Sequence, residues 1–387
     1  MTGPRAHVLG VIRGFESLGY SVKSFIVGDR VPEDWITAGS DRRVRRGLMT
    51  RIAADVVRIA FNFRNSRIAE KEIGDVDWVY ERFGAFQALG YRFKRKGIPW
   101  ILETNAPLFY ESKEERKSLA LAGLARIMEL WAYRQCDVLI CISETLKKIL
   151  VDSASISSSK ILVMPNGVDV SKFTPGEIIP RRFFADIPVL GFIGNLIHWQ
   201  GLGVLLDVLA ELRDCGKKIG CVVVGDGPQR NEWEEQAKSL DLQEQIVFTG
   251  RIPWEDVPTY LAGFDLGYTG QVNLSIGQMY LSPLKLYEYG AMALPVVAAA
   301  HEDARRVVDD GVTGFLYDPG DREDLKNTLI AALQRRAEWP LMGQRARQRI
   351  EEEHSWNARI RSLVDVILCR SKMDKDAAPN GTILASP

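Results

Sequence analysis

A lysine and a glutamate three positions apart are the residues of this sequence whose types and spacing best suit chemistry. They are Lys285 and Glu288, in the segment S-P-L-K-L-Y-E that begins at Ser282. Pro283 is typical of the first turn of a helix, so both side chains should project from one helical face near its N-terminus. The lysine and the free N–H groups there could bind a phosphate, and the carboxylate could accept two hydrogen bonds from a ribose diol. A lone Lys-x-x-Glu is usually a surface pair, but the apolar strand predicted at 295–298 favours a binding site.

Further polar and glycine residues follow predicted strands, at the end where ligands bind in open α/β sheets. Glu103 and Asn105 follow the run 100–103, and helix capping is the alternative explanation for the asparagine. The loop G-D-G-P that begins at Gly225 invites a dinucleotide-binding interpretation, but Arg230 occupies the position of the third glycine. A dinucleotide-dependent oxidoreductase is therefore a disfavoured alternative.

Short apolar runs rich in β-branched residues alternate with longer helical patterns along the chain, which is typical of βαβ units. The runs predicted as strands are 21–27, 78–81, 100–103, 138–142, 160–164, 189–193, 218–224, 246–249, 266–268, 295–298 and 314–317. Runs that are apolar throughout, such as 221–224, suit the centre of a parallel sheet covered on both faces. The sequence therefore predicts two doubly wound α/β domains.

A segment with two prolines and a glycine, 174–181, is the best candidate for a linker between the domains. We expect residues 1–180 and 181–370 to form the two domains, and the polar tail 371–387 to be disordered. The chain opens almost directly with a helical pattern that Gly19 should terminate. The first strand and glycine-rich turn of a doubly wound domain are missing from this pattern, either because the domain is shortened or because the protein starts upstream.

The composition is that of an ordinary globular protein, with 46% hydrophobic and 26% charged residues, and it excludes a disordered chain. The 50 basic residues balance 50 acidic ones, which argues against a chain that coats nucleic acid. The five cysteines form no CxxC pair and the four histidines are scattered, so no metal site is expected. No apolar segment reaches the roughly 18 residues of a membrane-spanning helix. We expect a cytoplasmic protein, either soluble or peripheral on the inner face of a membrane.

Residues 41–67 contain eight arginines and two aspartates, and their apolar residues recur at helical spacing. A basic amphipathic helix of this kind can lie on an anionic bilayer. The alternative is a solvated helix whose apolar stripe packs on the sheet of the N-terminal domain. The two interpretations differ in whether Phe61 and Phe63 are buried by protein.

A series of short motifs runs in order along nearly the whole chain. They are H-V-L-G-V-I-R from His7, L-G-Y-S-V from Leu18, Y-E-R from Tyr80, E-T-N-A-P from Glu103, I-S-E from Ile142, M-P-N-G-V-D from Met164, G-F-I-G from Gly191, V-G-D-G-P from Val224, F-T-G-R from Phe248, the segment from Ser282 to Pro295, and D-G-V-T-G from Asp310. Each motif alone is weak, but their order and spacing are specific. The sequence resembles the glycosyltransferases of family 4, which have the GT-B fold, use nucleotide-sugar donors and retain anomeric configuration.

The resemblance implies two Rossmann-like domains facing a central cleft. The C-terminal domain would bind a nucleotide-diphosphate sugar and the N-terminal domain a glycan or lipid acceptor, without a metal or other cofactor. The implied catalytic residues are Glu103, Asn105, Lys285 and Glu288, of which Glu288 would bind the donor's ribose. The implied donor contacts are Gly194, Asn195, Gln200, Gly225, Gly227, Arg251, Ser282, Pro283 and Leu284. The residues implied to line the cleft are His7, Asn166, Gly167 and Asp169, although a tight turn with Gly167 at positive φ is the alternative for the last three.

Three positions depart from the family pattern. Tyr280 stands where the family has the first glutamate of an E-x7-E motif, and Asn195 and Gln200 stand where an arginine and a lysine usually grip the diphosphate. Lys285 and Arg251 are then expected to offset the phosphate charge. We expect a retaining hexosyl-type transferase of polysaccharide or glycoconjugate biosynthesis. The alternative is a catalytically impaired homologue that acts as a membrane-associated scaffold or partner subunit.

Overall fold

The computed structural model describes residues 3–30, 47–115, 119–374 and 382–383. Strands and helices alternate through these residues, as the sequence pattern predicts. The strands are β1 (Ser21–Val22), β2 (Val79–Arg82), β3 (Trp100–Thr104), β4 (Val138–Cys141), β5 (Ile161–Val163), β6 (Val189–Ile193), β7 (Gly220–Val224), β8 (Ile246–Gly250), β9 (Leu266–Thr269), β10 (Val296–Ala299), β11 (Gly314–Tyr317) and β12 (Thr382–Ile383). The α-helices are α1 (Gly3–Ser17), α2 (Leu48–Ile73), α3 (Tyr91–Lys94), α4 (Leu108–Tyr110), α5 (Ala122–Gln135), α6 (Glu144–Ala154), α7 (Leu202–Asp214), α8 (Arg230–Ser239), α9 (Val257–Leu261), α10 (Leu284–Ala291), α11 (Glu302–Val307), α12 (Arg322–Gln334), α13 (Trp339–Arg349) and α14 (Trp356–Asp374).

The chain divides into two compact units. The N-terminal unit comprises Gly3–Pro165, Tyr280–Ser282 and the segment that starts at Trp356. The C-terminal unit comprises chiefly Asn166–Met279 and Pro283–Ser355. This division differs from the predicted one, because residues 166–180 belong to the C-terminal unit and α14 belongs to the N-terminal unit.

Two sets of contacts explain the difference. In the C-terminal unit, the backbone N–H of Val168 donates to the carbonyl oxygen of His354 at 3.2 Å, which ties the segment after residue 166 to that unit. In the N-terminal unit, α14 packs on a flat strip of α1 formed by two glycines one turn apart. A Cβ at Gly10 would lie 2.0 Å from Nε1 of Trp356, and a Cβ at Gly14 would lie 2.6 Å from Cγ1 of Ile360.

The C-terminal unit contains a six-stranded, wholly parallel sheet in the order β11-β10-β9-β6-β7-β8. This is the strand order of a doubly wound nucleotide-binding fold. Every residue of β6 and β7 is buried, because these strands lie in the interior of the sheet and helices cover both of its faces.

The alternation of side chains along these two strands separates two cores. Leu190 and Val223 belong to the core on one face of the sheet, and Val189 and Val222 belong to the core on the other. Full burial of each such side chain contributes roughly 1.5–3 kcal/mol to the free energy of unfolding. The runs that are apolar throughout in the sequence are therefore the strands that support both cores.

The N-terminal unit contains a four-stranded parallel sheet in the order β2-β3-β4-β5. Gly19, at φ 87°, follows α1 as predicted. The strand predicted at 21–27 is limited to β1, which pairs in parallel with β12 of the C-terminal tail. In the tail 371–387, the structure describes the end of α14 and the strand β12, and the rest lies outside the described residues.

Helix α2 buries several polar residues together with the apolar Ala69 and Ile73. Its buried residues include Asp55, Asn62, Asn65 and Ser66, whereas Phe63 is 62% exposed. From Leu48 onward, neither interpretation of residues 41–67 fits alone, because Phe63 is exposed whereas Phe61 is partly buried and Ile59 packs against a buried cluster. Residues 41–46 lie outside the described residues.

A buried carboxylate fixes this orientation of α2. Asp55 accepts hydrogen bonds from the backbone N–H groups of Ala120 and Leu121, at 2.8 and 2.9 Å, just before α5 begins. It also forms an ion pair with Arg58 at 2.5 Å. A carboxylate at this position satisfies backbone donors that would otherwise be left unpaired at the start of a helix.

Replacing Asp55 by alanine should lower the free energy of unfolding by about 2–4 kcal/mol, because buried N–H groups lose their acceptor. Urea denaturation followed by tryptophan fluorescence measures this change. Asp75→Ala, at an exposed position on the loop after α2, is the matched control and should change stability by less than about 0.5 kcal/mol. Equal effects of the two substitutions would show that the Asp55 contacts do not stabilise the unit.

Candidate functional site

The strand order of the C-terminal unit places a ligand crevice at the carboxyl ends of β6 and β9. These strands are neighbours, but the chain continues from them to opposite sides of the sheet, towards β7 and β10. Ligands of open α/β sheets bind at such a switch point. Gly194 follows β6 and Gly270 follows β9, so neither position places a side chain in the crevice.

Tyr289 holds α10 against these strands. Its hydroxyl lies 3.1 Å from the carbonyl oxygen of Gly191 and 3.2 Å from that of Tyr268, and it accepts a hydrogen bond from the N–H of Ile193 at 3.1 Å. Gly267 makes room for the ring, since a Cβ there would lie 2.4 Å from Cδ2 of Tyr289. The helix that carries the Lys-x-x-Glu motif is therefore fixed at the switch point.

Lys285 is buried beside the end of β6. Its Nζ donates to Oε1 of Gln200 at 2.7 Å and lies 3.8 Å from the centre of the Phe192 ring. A Cβ at Gly194 would lie 3.3 Å from the same nitrogen. The structure thus brings together Lys285, Gln200 and Gly194, three of the residues that the sequence analysis singled out.

Glu288 lies close enough to Lys285 for their charges to interact. Burial lowers the pKa of Lys285 to about 7, against the effect of Glu288, which raises it. Burial also raises the pKa of Glu288 to about 7, against the effect of Lys285. In the part of the chain that the structure describes, no side chain or backbone donor forms a hydrogen bond with the Glu288 carboxylate. The pair therefore combines a cation with a carboxylate whose oxygens are available to a ligand.

The glycines of the loop after β7 serve the packing of one loop on another. A Cβ at Gly225 would lie 1.9 Å from the carbonyl oxygen of Gly194, and a Cβ at Gly227 would lie 2.4 Å from that of Leu196. Backbone hydrogen bonds join the same loops, from Leu196 N to Asp226 O and from Gly194 N to Val224 O, both at 3.0 Å. These glycines shape the edge of the crevice, and their own atoms face protein.

The remaining donor-site candidates after β6 and β8 are exposed. Asn195 follows Gly194, and Arg251 follows the last residue of β8. Arg230, noted above only as a departure from a glycine motif, forms ion pairs with Asp226 at 3.5 Å and with Glu234 at 2.7 Å. Its charge is therefore balanced within α8 and the preceding loop.

The start of the Lys-x-x-Glu segment is divided between the two units. Pro283 is the N-cap residue of α10, which begins at Leu284, and both belong to the C-terminal unit. Ser282 is buried and belongs to the N-terminal unit, together with Tyr280. The hydroxyl of Tyr280 donates to Oε2 of Glu111 at 3.3 Å.

Residues 166–168 do not form the tight turn considered in the sequence analysis, and the turn found here starts at Asp169, whose carbonyl oxygen accepts from the N–H of Lys172 at 3.1 Å. Gly167 does not have a positive φ. The reason is that Val168 pairs in parallel with Ser355, which keeps the backbone extended. Asp169 accepts hydrogen bonds from the hydroxyl of Ser171 at 2.6 Å and from its N–H at 3.3 Å, so its contacts are at least partly local.

In the N-terminal unit, several polar groups converge on the Glu103 carboxylate at the end of β3. His7 Nε2 lies 2.7 Å from Oε1 and 2.9 Å from Oε2, and the Tyr80 hydroxyl donates to Oε2 at 2.7 Å. With its amide oriented to satisfy both neighbours, Asn105 donates to Oε1 at 2.8 Å and accepts from Nη2 of Arg82 at 3.3 Å. Glu103 is fully buried, whereas Asn105 and Arg82 are partly exposed.

The electrostatics of this cluster favour the ionised carboxylate. Burial alone would raise the pKa of Glu103, but the charges and hydrogen bonds of His7, Arg82 and Tyr80 together outweigh it and hold that pKa below its ordinary value. Burial and the Glu103 charge raise the pKa of Tyr80, which stays a hydrogen-bond donor. A buried carboxylate that already accepts from three donors is suited to hold those donors in position, and not to contact a ligand directly.

Helix capping, the alternative role considered for Asn105, is performed by another residue. The carboxylate of Glu129 accepts from the N–H groups of Leu108 and Phe109, the first residues of α4, at 2.9 and 2.8 Å. Burial raises the pKa of Glu129 to about 7, although hydrogen bonds from Tyr133 and from the backbone of Leu108 and Phe109 oppose this shift. Asn105 is therefore left to bridge Glu103 and Arg82.

Sequence reasoning missed four residues of these two clusters: Tyr80, Arg82, Tyr289 and His301. The imidazole of His301, just after β10, lies 2.8 Å from the carbonyl oxygen of Gln271, just after β9. The available signal was position for two of the four, since Arg82 and His301 lie at or just after the carboxyl end of a strand. Among the described residues, no group of three or more His, Cys, Asp or Glu side chains is arranged to hold a metal ion.

Glu103→Gln should destabilise the chain at neutral pH, because an amide binds His7, Tyr80 and Asn105 less strongly than a carboxylate does. Since the pKa of Glu103 is lowered on folding, its stabilisation is present at neutral pH and is lost as the pH falls below the ordinary value of 4.5. We expect the free energy of unfolding of the variant to be about 1–3 kcal/mol lower than that of the unmodified chain at neutral pH. This difference should become smaller in acid, and urea denaturation measures it.

The exposed Glu244→Gln is the control and should be neutral at both pH values. A Glu103→Gln effect that is equally large in acid would contradict the ionised state of Glu103 in the folded chain.

Two family profiles of known proteins match this chain, one mainly in each unit. The profile described as glycosyltransferase family 4 matches residues 1–172, and the profile described as glycosyl transferases group 1 matches residues 187–335. A 2-deoxystreptamine glucosyltransferase of Streptomyces kanamyceticus is 29% identical over 40% of this chain and 42% of its own length. An alpha-monoglucosyldiacylglycerol synthase of Streptococcus pneumoniae is 25% identical over 51% of this chain and 44% of its own length. The chain thus spans less than half the length of these two relatives.

Solved structures share the fold. A glycosyltransferase from Rickettsia africae superposes with a TM-score of 0.67 at 17% identity, covering 96% of this chain and 95% of that one. The Anabaena protein HepE, solved in complex with UDP and glucose, superposes with a TM-score of 0.60 at 18% identity, covering 79% of this chain and 81% of that one. The fold class predicted from the sequence is confirmed, and the chain belongs to the GT-B-fold glycosyltransferases of family 4, group 1.

Proposed function

We propose that the chain transfers a hexosyl group from a nucleoside-diphosphate sugar to a glycan or lipid acceptor, with retention of configuration. The observation that carries this proposal is the Lys285 and Glu288 pair, fixed by Tyr289 at the switch point of the six-stranded sheet. A related fold that binds UDP and glucose supports the class of donor. Because the chain matches only part of the length of these relatives, the proposal names a class of donor and acceptor, and no particular sugar or base.

The C-terminal unit supplies what a departing diphosphate needs. The Lys285 ammonium offsets negative charge, and it lies in the first turn of α10, which starts at Leu284 and carries partial positive charge at this end. We propose that these groups and the exposed Arg251 stabilise the leaving group in place of a metal ion. Asn195 and Gln200 carry no charge, so Lys285 would offset a larger share of the diphosphate charge than in the family pattern.

Glu288 is proposed to bind the ribose. The residue is partly exposed, and its carboxylate accepts no hydrogen bond from the described residues. A cis-diol can donate two hydrogen bonds to one carboxylate, and hydrogen bonds to a charged group contribute about 1.5–3 kcal/mol each. The ribose contact would thereby hold the nucleotide in register with Lys285.

The N-terminal unit is proposed to bind the acceptor through the cluster around Glu103. Glu103 holds His7 and Asn105 in fixed positions, and the partly exposed Asn105 and Arg82 present polar groups beside it. Preorganised groups of this kind orient an acceptor hydroxyl without further loss of side-chain entropy. We also propose that the chain works at the inner face of a membrane. A relative named for a lipid product and the exposed basic helix α2 support that location.

The affinity for UDP should pass through a maximum near pH 7. Below about pH 7 Glu288 becomes protonated and loses its acceptor oxygens, and above about pH 7 Lys285 becomes neutral and loses its charge. Calorimetric titration of UDP across this range measures both limbs. Glu288→Gln should remove the acidic limb, and Lys285→Met should remove the alkaline limb.

Lys238→Met, at an exposed position on α8, is the matched control for the lysine and should keep both limbs. An affinity that is independent of pH between about pH 6 and about pH 8 in the unmodified chain would contradict the proposed roles of the pair.

Turnover of a panel of nucleotide sugars tests the activity itself. Lys285→Met should lower kcat/KM by about tenfold to hundredfold, because one charge-assisted contact to the diphosphate is lost. Lys238→Met should leave kcat/KM unchanged. A chain that binds UDP but turns over no sugar in the panel would favour the alternative, a catalytically impaired homologue. A chain that binds no nucleotide would overturn the proposal.

A further inference from the structure

One nitrogen of the His301 ring is held by the protein. Nε2 lies 2.8 Å from the carbonyl oxygen of Gln271, and because a carbonyl oxygen can only accept, Nε2 carries the proton. Burial and the charge of Arg305 lower the pKa of His301 and outweigh the hydrogen bond to Gln271, which raises it. The ring is therefore neutral at neutral pH, and its other nitrogen, Nδ1, is a hydrogen-bond acceptor.

The fold makes no use of this acceptor. Among the described residues, no donor forms a hydrogen bond with Nδ1 of His301. His301 is the N-cap residue of α11, a position where Ser, Thr, Asp and Asn usually accept from the helix, but its side chain forms no capping bond. An acceptor that is fixed through the opposite nitrogen and has no structural task is available to a ligand.

The side chain of Gln271 adds an amide to the same place. Gln271 is 5% exposed, and its side-chain amide forms no hydrogen bond with any residue that the structure describes. Buried polar groups are normally paired, because a buried amide without a partner costs free energy. A buried amide that the chain leaves unpaired indicates a position where a ligand supplies the partner.

Backbone contacts place Gln271 beside the turn that presents the partner of the buried lysine. The N–H of Val272 donates to the carbonyl oxygen of Trp199 at 3.0 Å. On the other side of Gln271, a Cβ at Gly201 would lie 1.8 Å from the carbonyl oxygen of Gly270. The residues before and after Gln271 are thus packed on that turn.

This turn carries Gln200, which binds Lys285 at the proposed diphosphate site. In a nucleotide sugar the sugar is joined directly to the diphosphate, so it must lie next to that site. Gln271 and His301 are therefore placed to contact the sugar.

The surroundings of these two side chains are uncharged or internally paired. The segment 270–284, which leads from β9 into α10, contains no charged residue. The charged residues that follow His301 have partners: Glu302 with Arg306 at 2.6 Å, Asp303 with the hydroxyl of Tyr287 at 2.8 Å, and Arg305 with Asp318 at 3.8 Å and with the carbonyl oxygen of Ala300 at 2.7 Å. A neutral imidazole and an amide in such surroundings suit hydroxyl groups, which donate and accept without charge.

We propose that Gln271 and His301 bind hydroxyl groups of the donor's hexosyl group, one of which donates to Nδ1, and that they select uncharged hexoses over hexuronates. This inference rests on the proposed function and names the class of sugar that the proposed function leaves open. Position 280 offers no such contact, because Tyr280 is buried and donates to Glu111.

Calorimetric titration with UDP, UDP-glucose, UDP-galactose and UDP-N-acetylglucosamine tests the site. The quantity compared is the affinity for a UDP-sugar relative to that for UDP. Gln271→Met keeps the size of the side chain and removes the amide. It should lower the affinity for the best of these sugars by about threefold to tenfold and leave that for UDP unchanged. UDP-glucuronate should bind the unmodified chain at least about tenfold more weakly than the best uncharged UDP-sugar, because its carboxylate finds no cation.

Two amides at position 301 separate the two nitrogens of the ring. His301→Gln can still donate to the carbonyl oxygen of Gln271 but lacks the acceptor at Nδ1. His301→Asn places an amide oxygen near the position of Nδ1. Relative to UDP, His301→Asn should bind the best UDP-sugar at least about threefold more tightly than His301→Gln does.

Gln243→Met, at an exposed position before β8, is the matched control and should leave the relative affinity unchanged. Equal losses of affinity for UDP and for the UDP-sugar in Gln271→Met would show a structural role and overturn the inference. Equal binding of UDP-glucuronate and the uncharged sugars, or equal behaviour of the two His301 variants, would also overturn it. A chain that binds UDP but gains no affinity from any hexosyl group would refute this inference alone. A chain that binds no nucleotide would refute the proposed function as well.

Discussion

The burial of a lysine beside the carboxyl ends of two parallel strands is the constraint on which the C-terminal unit depends. A charged side chain removed from water is costly unless it is paired and hydrogen-bonded. Here the Lys285 ammonium has one neutral acceptor, Gln200, an aromatic face, Phe192, and a carboxylate nearby, Glu288. Burial displaces the pKa values of both groups towards 7, because it disfavours the charged form of each. The proposed anionic ligand would place negative charge beside the ammonium and so would favour its charged form.

The N-terminal unit uses buried carboxylates as its recurring structural device. Asp55 binds the N–H groups before α5, Glu129 binds those at the start of α4, and Glu81 binds the N–H groups of Leu89 and Gly90 at 2.9 and 2.8 Å. Each one satisfies adjacent backbone donors that a loop or helix start would leave unpaired. Glu103 is the exception, because the partners of its carboxylate among the described residues are all side chains. The other three, which also bind backbone N–H groups, organise loops and helix starts in the same unit.

Glycine has two different uses in this fold, and only one concerns the ligand. Gly225 and Gly227 allow the loops after β6 and β7 to approach each other, and Gly10 and Gly14 allow α14 to lie on α1. Gly194, by contrast, leaves space next to Lys285 at the end of β6. A glycine-rich loop in the sequence therefore does not by itself indicate a phosphate site, because close contact between two protein backbones requires the same residue.

The sequence by itself determined the sheets, their central strands and the helix that carries Lys285 and Glu288, because apolar periodicity and helix-start residues are local properties of the chain. It also determined the family, through the order and spacing of its motifs. Only the tertiary structure decided that Gln200 is the partner of Lys285, that four side chains converge on Glu103, and that α2 buries several of its polar residues. These contacts join residues far apart in the chain, and a buried carboxylate and a solvated one are identical in the sequence. What distinguishes them is the set of donors that the fold brings within hydrogen-bonding distance.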